Sequence, residues 1–376
     1  MQIVSDLLSQ SGFANLTGGN LVMFAIAGTL IYLAITKGYE PLLLIPIAFG
    51  AILANLPLAN MASTGEGILV YMYDAGIKTE LLPPLIFLGI GTLTDFRPLM
   101  GRPLTFLLGA AAQLGIFVAA LGAFYMLGFT PEESAAIGII GGADGPTSIF
   151  LTIQLAPHLL GPVAIAAYSY MSLVPIIQPP ILRLLTTKEE RQIAMPQALP
   201  ISRPAAVIFP IMVGLLACLA VPSSAPLIGL LMFGNLLRES EVTGRLKKTA
   251  GGPMMDIVTI VLGLTVGATM TAGEFLKLET LYIMLLGAVA FSFSTAGGIL
   301  FAKLFNVFLP AHRKINPCIG AAGVSAVPMA ARVVQQFVHD ETHGQVNPLM
   351  PAMGPNIAGV LGSAVAAGVF LMMLGG

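Results

Sequence analysis

Residues 134–155 read SAAIGIIGGADGPTSIFLTIQL, an apolar run that GGADGP interrupts in its middle. Glycine adopts backbone conformations that other residues avoid, and proline lacks the amide proton that a helix interior needs. This cluster therefore breaks a helix and frees backbone polar groups. Asp144 lies at the break, close to the hydroxyl groups of Thr147 and Ser148. We predict that the stretch is a re-entrant or broken hairpin.

The composition of the whole chain places this segment in a membrane. The 376 residues are 56% hydrophobic and 9% charged, whereas charged residues make up about 25% of a typical soluble domain. Apolar runs at 21–36, 103–129 and 280–303 are long enough to cross a hydrocarbon core of about 30 Å. We predict an all-α, multi-pass protein of the cell (inner) membrane, in contact with lipid. The net charge of -1 and the lack of a basic stripe argue against a nucleic-acid partner.

The chain also shows signs of an internal duplication. Twelve apolar segments begin near residues 21, 41, 81, 103, 134, 159, 205, 225, 254, 280, 316 and 347. Asn55 in AILANLP matches Asn235 in LMFGNLL, and Gly141 of GGADG matches Gly320 of GAAGV at a similar spacing. Such repeats are typical of secondary transporters.

The positions of the basic residues indicate how the two halves are oriented. Most Lys and Arg residues fall in five loops, at 37, 97–102, 183–203, 238–248 and 303–314, which we assign to the cytoplasm. All five can lie inside only if one segment between 103 and 183 fails to cross, and 134–155 is the natural candidate. The repeats would then be inverted, with 316–338 as the second hairpin. The alternative is that twelve ordinary helices cross and the charge bias is noise.

These arguments divide the chain into four parts. Residues 1–19 lack the features of a secretory signal and are expected to form an interfacial segment. The first membrane repeat covers 20–185, a cytoplasmic linker covers 186–204 and the second repeat covers 205–376. Each repeat is expected to contain about five crossing helices and one Gly-rich hairpin.

Ionisable residues inside a membrane are costly, so Asp144 and Arg332 are the first candidates for function. A carboxylate among glycines and hydroxyl groups suits a small hard cation, although Asp144 could instead be a helix cap at the membrane surface. Arg332 could neutralise a carboxylate of the protein or of a substrate, or it could extend to the lipid headgroups. We expect Asn316, Ser325 and Arg332 to face Asp144 across a shared cavity.

Two further polar residues lie in apolar segments. Tyr170 in AAYSYMSLVPIIQPP could donate a proton or a hydrogen bond, but an interfacial aromatic would look the same. Asn356 in MGPNIAGVLGS completes the polar set.

Several long stretches resemble one family, the beta subunits of sodium-translocating, biotin-dependent decarboxylases that act on oxaloacetate, glutaconyl-CoA or methylmalonyl-CoA. The stretches are GGADGPTSIF, AAYSYMSLVPIIQPPI, GNLLRES, NPCIGAAGVSAVPMAARV and MGPNIAGVLGSAVAAG, in this order. The resemblance runs from about residue 20 to the C-terminus. It implies that the chain decarboxylates carboxybiotin, takes up a proton from the outer side and moves Na⁺ outward.

The resemblance also implies roles for individual residues and partners. Asp144, Tyr170 and Arg332 would be catalytic, and Arg332 and Asn316 would bind carboxybiotin. The sodium ligands would be Asp144, Asn316, Gly320, Ser325 and Asn356. No Met-Lys-Met biotin-attachment motif is present, so the biotin would arrive on a biotin carrier subunit, beside a carboxytransferase (alpha) subunit and a small gamma- or delta-type membrane subunit. Family members form homo-oligomers, which we expect here as a trimer.

Two other functions remain open from the residues alone. A sodium-coupled secondary carrier of a small organic anion would use the same inverted repeats without chemistry. A purely structural membrane anchor would explain neither Asp144 nor Arg332.

Overall fold

A computed structural model describes residues 9–62, 67–196, 200–310 and 313–375. The described residues form helices and connecting turns, with no β-strand among them, which confirms the all-α prediction. Residues 1–8, part of the expected interfacial segment, lie outside the described residues.

The first half of the chain contains eleven α-helices within the described residues. They are α1 (Gly18–Lys37), α2 (Pro41–Ala54), α3 (Ile68–Gly76), α4 (Leu82–Leu93), α5 (Arg97–Met100), α6 (Leu104–Ala111), α7 (Leu114–Leu127), α8 (Pro131–Gly138), α9 (Gly145–Leu155), α10 (Leu160–Leu185) and α11 (Lys188–Arg191). Short 3-10 turns precede α9 and α10, at Ile139–Gly142 and Pro157–Leu159.

The second half repeats much of this order. Its helices are α12 (Arg203–Ala220), α13 (Leu230–Glu239), α14 (Gly244–Thr249), α15 (Met255–Ala268), α16 (Ala272–Phe275), α17 (Leu278–Phe308), α18 (Met329–Glu341) and α19 (Leu349–Leu374). A 3-10 helix at Pro317–Gly323 precedes α18. Eleven of the twelve predicted segments begin within three residues of the first residue of one of these helices, and the twelfth, near 225, begins with the π-turn Ala225–Gly229 that leads into α13. The nine residues of α3 were not predicted, because Tyr71, Tyr73 and Asp74 interrupt their apolar pattern.

Six helical segments of the described residues are long and apolar enough to cross a membrane. They are Gly18–Lys37, Leu104–Leu127, Arg203–Ala220, Gly244–Ala268, Leu278–Phe308 and Leu349–Leu374. The bent α10 region gives a seventh when its two arms, which meet at 59°, count as one span. Exposed apolar side chains such as Leu21 and Ile35 on α1 suit a lipid environment. The chain is a multi-pass membrane protein, as predicted.

The two halves pack through matched helix pairs, α2 on α15 and α4 on α13. Glycines allow both crossings, because a Cβ at Gly50 would collide with the carbonyl of Leu264, and a Cβ at Gly234 with that of Leu88. The pairing of Asn55 with Asn235 also has a structural counterpart. Asn55 Nδ2 donates to the carbonyl of Met270 at 2.7 Å, after α15, and Asn235 Nδ2 donates to that of Thr94 at 3.0 Å, after α4.

This reciprocal packing is what an internal duplication would produce. The inversion of the repeats relative to a membrane and the division at 186–204 stay predictions, since no membrane is present to orient the helices.

Two interrupted segments have ends that meet, so each is a hairpin. In the first hairpin, residues 131–158, Glu133 Oε1 near the start lies 2.8 Å from His158 Nε2 at the end. In the second hairpin, residues 316–341, Asn316 Nδ2 donates to the carbonyl of Arg191 at 3.0 Å, while Arg191 Nη1 binds Glu341 Oε2 at 2.8 Å. Both ends of the second hairpin therefore meet at one linker residue.

The tips of the two hairpins touch inside the helix bundle. The amide of Ser325 in the second tip donates to the carbonyl of Gly142 in the first tip at 2.8 Å. Residues on both sides of this contact are buried. The candidate site lies at this junction.

Candidate functional site

Asp144 is buried at the tip of the first hairpin, with 5% of its surface exposed. Ala143 adopts a left-handed conformation (φ 53°) that turns the chain, and Asp144 then caps α9. One carboxylate oxygen, Oδ1, accepts a hydrogen bond from the amide of Thr147 at 3.2 Å. Asp144 is therefore a helix cap, as the alternative interpretation held, but one inside the protein rather than at its surface.

The other carboxylate oxygen is held by a pair of serines. Ser363 Oγ on α19 donates to Asp144 Oδ2 at 2.6 Å, and Ser325 Oγ donates to Ser363 Oγ at 3.0 Å. Sequence reasoning missed Ser363. A signal was present, because Ser363 follows Asn356 by seven residues and so lies on the same face of α19, about 10 Å along the helix.

Three more oxygens near this junction are buried without a hydrogen-bond donor among the described residues: Thr147 Oγ1, Gln113 Oε1 and Asn356 Oδ1. The amide nitrogens of the two carboxamides have acceptors: Gln113 Nε2 donates to the carbonyl of Gly109 at 2.9 Å, and both amides reach the second hairpin. Asn356 Nδ2 donates to the carbonyl of Val324 at 2.7 Å, and Gln113 Nε2 approaches that of Gly323 at 3.4 Å. Their oxygens are left without donors, although buried acceptors normally have one.

Gln113 Oε1 and Ser363, the residue that binds Asp144, lie against the same glycine. A Cβ added at Gly142 would lie 3.3 Å from Gln113 Oε1 and 3.2 Å from Cβ of Ser363, which binds Asp144. Gln113 was not singled out in the sequence, because a lone amide in an apolar run has no motif. A carboxylate with neighbouring unpaired oxygens is the donor set that a hard cation requires.

Asn316 does not reach this junction. Its Nδ2 donates to the carbonyls of Arg191 and Ile193 at 3.0 and 3.2 Å, and its Oδ1 accepts from the amide of Cys318 at 3.0 Å. Since a 3-10 helix rises about 2 Å per residue, Asn316 lies roughly 18 Å from Ser325 along the segment. The structure therefore places Asn316 at the base of the second hairpin, and its expected contact with Asp144 is not formed.

Gly320 lies midway along the second hairpin, against α17. A Cβ at Gly320 would collide with the carbonyl of Gly298, and a Cβ at Gly298 with that of Gly320. This close approach gives Gly320 a packing role, whereas its role as a sodium ligand stays a prediction.

α10 carries two tyrosines, and Tyr168 rather than Tyr170 lies nearer the tip of the first hairpin. The ring of Tyr168 covers Gly145, where a Cβ would collide with it. Tyr170 is also buried, but its hydroxyl donates to the carbonyl of Met284 on α17. The catalytic role of Tyr170 therefore stays a prediction, and Tyr168 is the aromatic residue beside Asp144.

Arg332 lies in the first turn of α18, directly after the tip of the second hairpin. Ala330 and Ala331 beside it are buried, whereas Arg332 is exposed. Its guanidinium makes no ion pair or hydrogen bond with the described part of the chain. Arg332 makes no hydrogen bond or ion pair with Asp144, so its expected place opposite Asp144 stays a prediction, and its guanidinium is free to bind an anion.

Comparisons with known proteins agree on one group. The family model of the Na⁺-transporting oxaloacetate decarboxylase beta subunit matches residues 19–374. The chain is 54% identical to the methylmalonyl-CoA decarboxylase subunit beta of Veillonella parvula, covering 99% of this chain and 97% of the relative. It is 54% identical to the glutaconyl-CoA decarboxylase subunit beta of Acidaminococcus fermentans, covering 99% and 98%. It is 45% identical to the oxaloacetate decarboxylase beta chain of Klebsiella pneumoniae, covering 99% of each.

Proposed function

The chain belongs to the family of Na⁺-transporting decarboxylase beta subunits, and we propose that it decarboxylates carboxybiotin and uses the reaction to move Na⁺ out of the cell. Its multiple apolar helices place it in the membrane, the inner membrane in bacteria. The buried carboxylate of Asp144, with unpaired oxygens around it, is the observation that carries the proposal.

The site suits a cation that is taken up and released. A buried carboxylate is costly unless a charge or hydrogen bonds compensate it, and no Lys or Arg side chain binds Asp144 in the described structure. A sodium ion or a proton can supply the missing charge, and each excludes the other from the same oxygen. Binding of a proton to Asp144 would therefore release sodium.

The reaction can drive this exchange because it consumes a proton. In carboxybiotin the bond between the ureido nitrogen and the carboxyl carbon breaks, CO₂ leaves, and the nitrogen keeps the electron pair and takes up a proton. We propose that this proton comes from the outer side and passes through the site. The two hairpins would then present the cation to the two faces in turn, as in other inverted-repeat carriers.

Arg332 is the residue that we propose to hold the carboxylate of carboxybiotin. A guanidinium binds a carboxylate through two parallel hydrogen bonds, and Arg332 is exposed with no partner of its own among the described residues. Asn316 would act on the ligand through the shape of the second hairpin, since its amide is fully used there.

The complex would contain other subunits. The named acids of the relatives differ, whereas their beta subunits are all similar to this chain. This supports a separate carboxytransferase subunit that selects the acid, a biotin carrier subunit that delivers the carboxyl group, and a small gamma- or delta-type membrane subunit. We propose a homo-oligomer, as a trimer, for the membrane part.

The test is decarboxylation of free carboxybiotin by the purified chain in detergent, with and without sodium. Asp144→Asn keeps the side-chain shape but removes the charge, so we expect sodium-dependent turnover to fall at least about 100-fold. Ser363→Ala removes one hydrogen bond to the carboxylate and should weaken sodium activation by about tenfold.

Asp256→Asn is the matched control, because Asp256 is an exposed carboxylate at the start of α15 and should behave like the unaltered chain. If Asp144→Asn retains its sodium dependence, Asp144 is not in the sodium site. If the unaltered chain transports sodium but never decarboxylates carboxybiotin, the carrier function replaces the one proposed.

A further inference from the structure

A cavity of about 550 Å³ lies at one end of the bundle, beside the start of α19. Residues 95–102, four residues of the linker between the halves, Met195, Pro196, Pro200 and Ile201, and residues 347–351 form its walls. The first two of these stretches lie in or next to loops that the charge pattern assigns to the cytoplasm. The volume is in the range of small-molecule sites.

Three charged side chains line this cavity, and two of them, Asp95 and Arg97, are paired with oppositely charged residues of the protein. Asp95 accepts from the amide of Arg97 at 3.0 Å and lies 3.4 Å from the guanidinium of Arg238. Arg97 pairs with Glu239 at 2.7 Å. Arg102 also lines the cavity, and its guanidinium has no ion pair or hydrogen bond within the described ranges. The unmatched charge of the cavity is therefore positive.

The remaining walls are largely apolar and include Pro98, Met195 and Met350. Asn347 adds a further donor, because its Oδ1 already accepts from the amide of Leu349 at 3.2 Å and its amide protons are left for a ligand. An anion with an apolar body fits this combination, since the apolar walls bury the body while Arg102 and Asn347 bind the charge.

α19 links this cavity to the tip of the first hairpin. Pro351 lines the cavity, and Gly354 packs against Thr105 at its inner side. At 1.5 Å per residue, Asn356 lies about 8 Å from Pro351 along the helix, and Ser363 about 18 Å. One continuous helix, α19, therefore contacts both the cavity, through Pro351, and the carboxylate of Asp144, through Ser363.

We infer that this cavity, which we call the Arg102 cavity, is the entry site for the carboxylated biotin group, with Arg102 binding its carboxylate. The inference rests on the proposed function, because that function supplies the ligand. Arg332 does not line the cavity, so Arg102 would capture the group on arrival and Arg332 would hold it later in the reaction.

The experiment measures KM and kcat for free carboxybiotin with the purified chain, and sodium binding in parallel. Arg102→Gln should raise KM about tenfold, since a charge-assisted hydrogen bond is lost, with kcat and sodium binding within about twofold. Arg102→Lys should fall between, because lysine keeps the charge but loses the forked geometry. Met350→Trp, which fills the cavity and leaves Arg102 intact, should also raise KM.

Arg245→Gln is the control, because Arg245 is exposed on α14 outside the cavity. If Arg102→Gln and Met350→Trp both match Arg245→Gln in KM, the cavity assignment is wrong while the proposed function stands. If the unaltered chain does not decarboxylate carboxybiotin at all, the proposed function and this inference both fall. If Arg102→Gln fails to fold, it will also lose sodium binding. The KM of Met350→Trp then tests the cavity assignment.

Discussion

The two hairpins have similar shapes but are held at their bases by different chemistry. The base of the first hairpin is held by a hydrogen bond between Glu133 and a His158 side chain that is 56% exposed. The base of the second is Arg191, whose side chain is 6% exposed and binds Glu341. Partly exposed pairs contribute little to stability, whereas buried charges depend on their partners. The base of the second hairpin is therefore the more firmly anchored of the two.

At the tips, it is the first hairpin that carries the buried charged group. The first tip carries the buried charge, Asp144, whereas the second contributes Ser325 and backbone carbonyls that bind the amides of Gln113 and Asn356. The hairpin with the more exposed base thus carries the proposed cation ligand, and the hairpin with the buried base supplies the frame around it.

The largest expected effect concerns the side of the membrane on which the base of each hairpin lies. If the repeats are inverted, a cysteine placed near the first base at Glu132, or in the linker at 222–226, should react with an impermeant thiol reagent from outside. Cysteines near Lys188 or Lys247 should react only after permeabilisation. Labelling of the positions at Glu132 and Lys188 from the same side would contradict the inverted arrangement and leave twelve ordinary crossings as the better account, whereas 222–226 lies opposite Lys188 in both arrangements.

The second prediction tests the anchoring of the second hairpin. Arg191 Nε donates to Thr186 Oγ1 at 2.9 Å, and its Nη2 donates to the carbonyls of Thr186 and Arg183 at 2.7 and 2.9 Å. Arg191→Gln would leave Glu341 and these carbonyls without their donors, so we expect a loss of about 3–5 kcal/mol. The measurement is thermal unfolding in detergent.

Arg183→Gln provides the matched control, because Arg183 binds the same Glu341 at 3.1 Å but is 66% exposed. Its loss should cost less than about 1 kcal/mol. Equal destabilisation by the two variants would mean that the burial of Arg191 adds nothing to the anchoring of the second base.

The smallest expected effect is at the first base and depends on pH. Burial raises the pKa of Glu133, but hydrogen bonds from Thr130 and His158 outweigh it and leave the pKa below its ordinary value of 4.5. A depressed carboxyl pKa stabilises the fold above that ordinary value, and the stabilisation is lost as the pH falls through the lowered pKa. Glu133→Gln should cost less than about 1 kcal/mol at pH 7.

This cost should shrink in unfolding curves as the pH falls below 4.5 and through the lowered pKa. Glu132→Gln is the control, because it makes the same exchange of a carboxylate for a carboxamide at the neighbouring position. A cost for Glu133→Gln that stays constant as the pH falls from 7 through the lowered pKa would show that the carboxylate charge is not what holds the first base.

The sequence predicted the elements well because their signals are local. Apolar runs bounded by charges located the helices, and GGADGP located the break at Asp144. The pairing of the hairpin ends could not be predicted, because it joins residues far apart in the chain, such as Arg191 and Glu341. Sequence proximity also misled at Asn316, which shares a motif with Ser325 but lies at the opposite end of a 3-10 helix.

Ser363 on α19 can adapt its hydrogen bonding when a cation binds to Asp144 or leaves it. A hydroxyl group has one hydrogen, and Ser363 has two acceptors within reach, Asp144 Oδ2 at 2.6 Å and the carbonyl of Val360 at 3.0 Å. When a cation takes the carboxylate oxygen, rotation about one single bond moves the hydrogen to Val360. Ser363 then turns a lone pair toward the ion without leaving a buried donor unpaired. The same rotation in reverse restores the bond to Asp144, so loading and unloading require little rearrangement of the backbone.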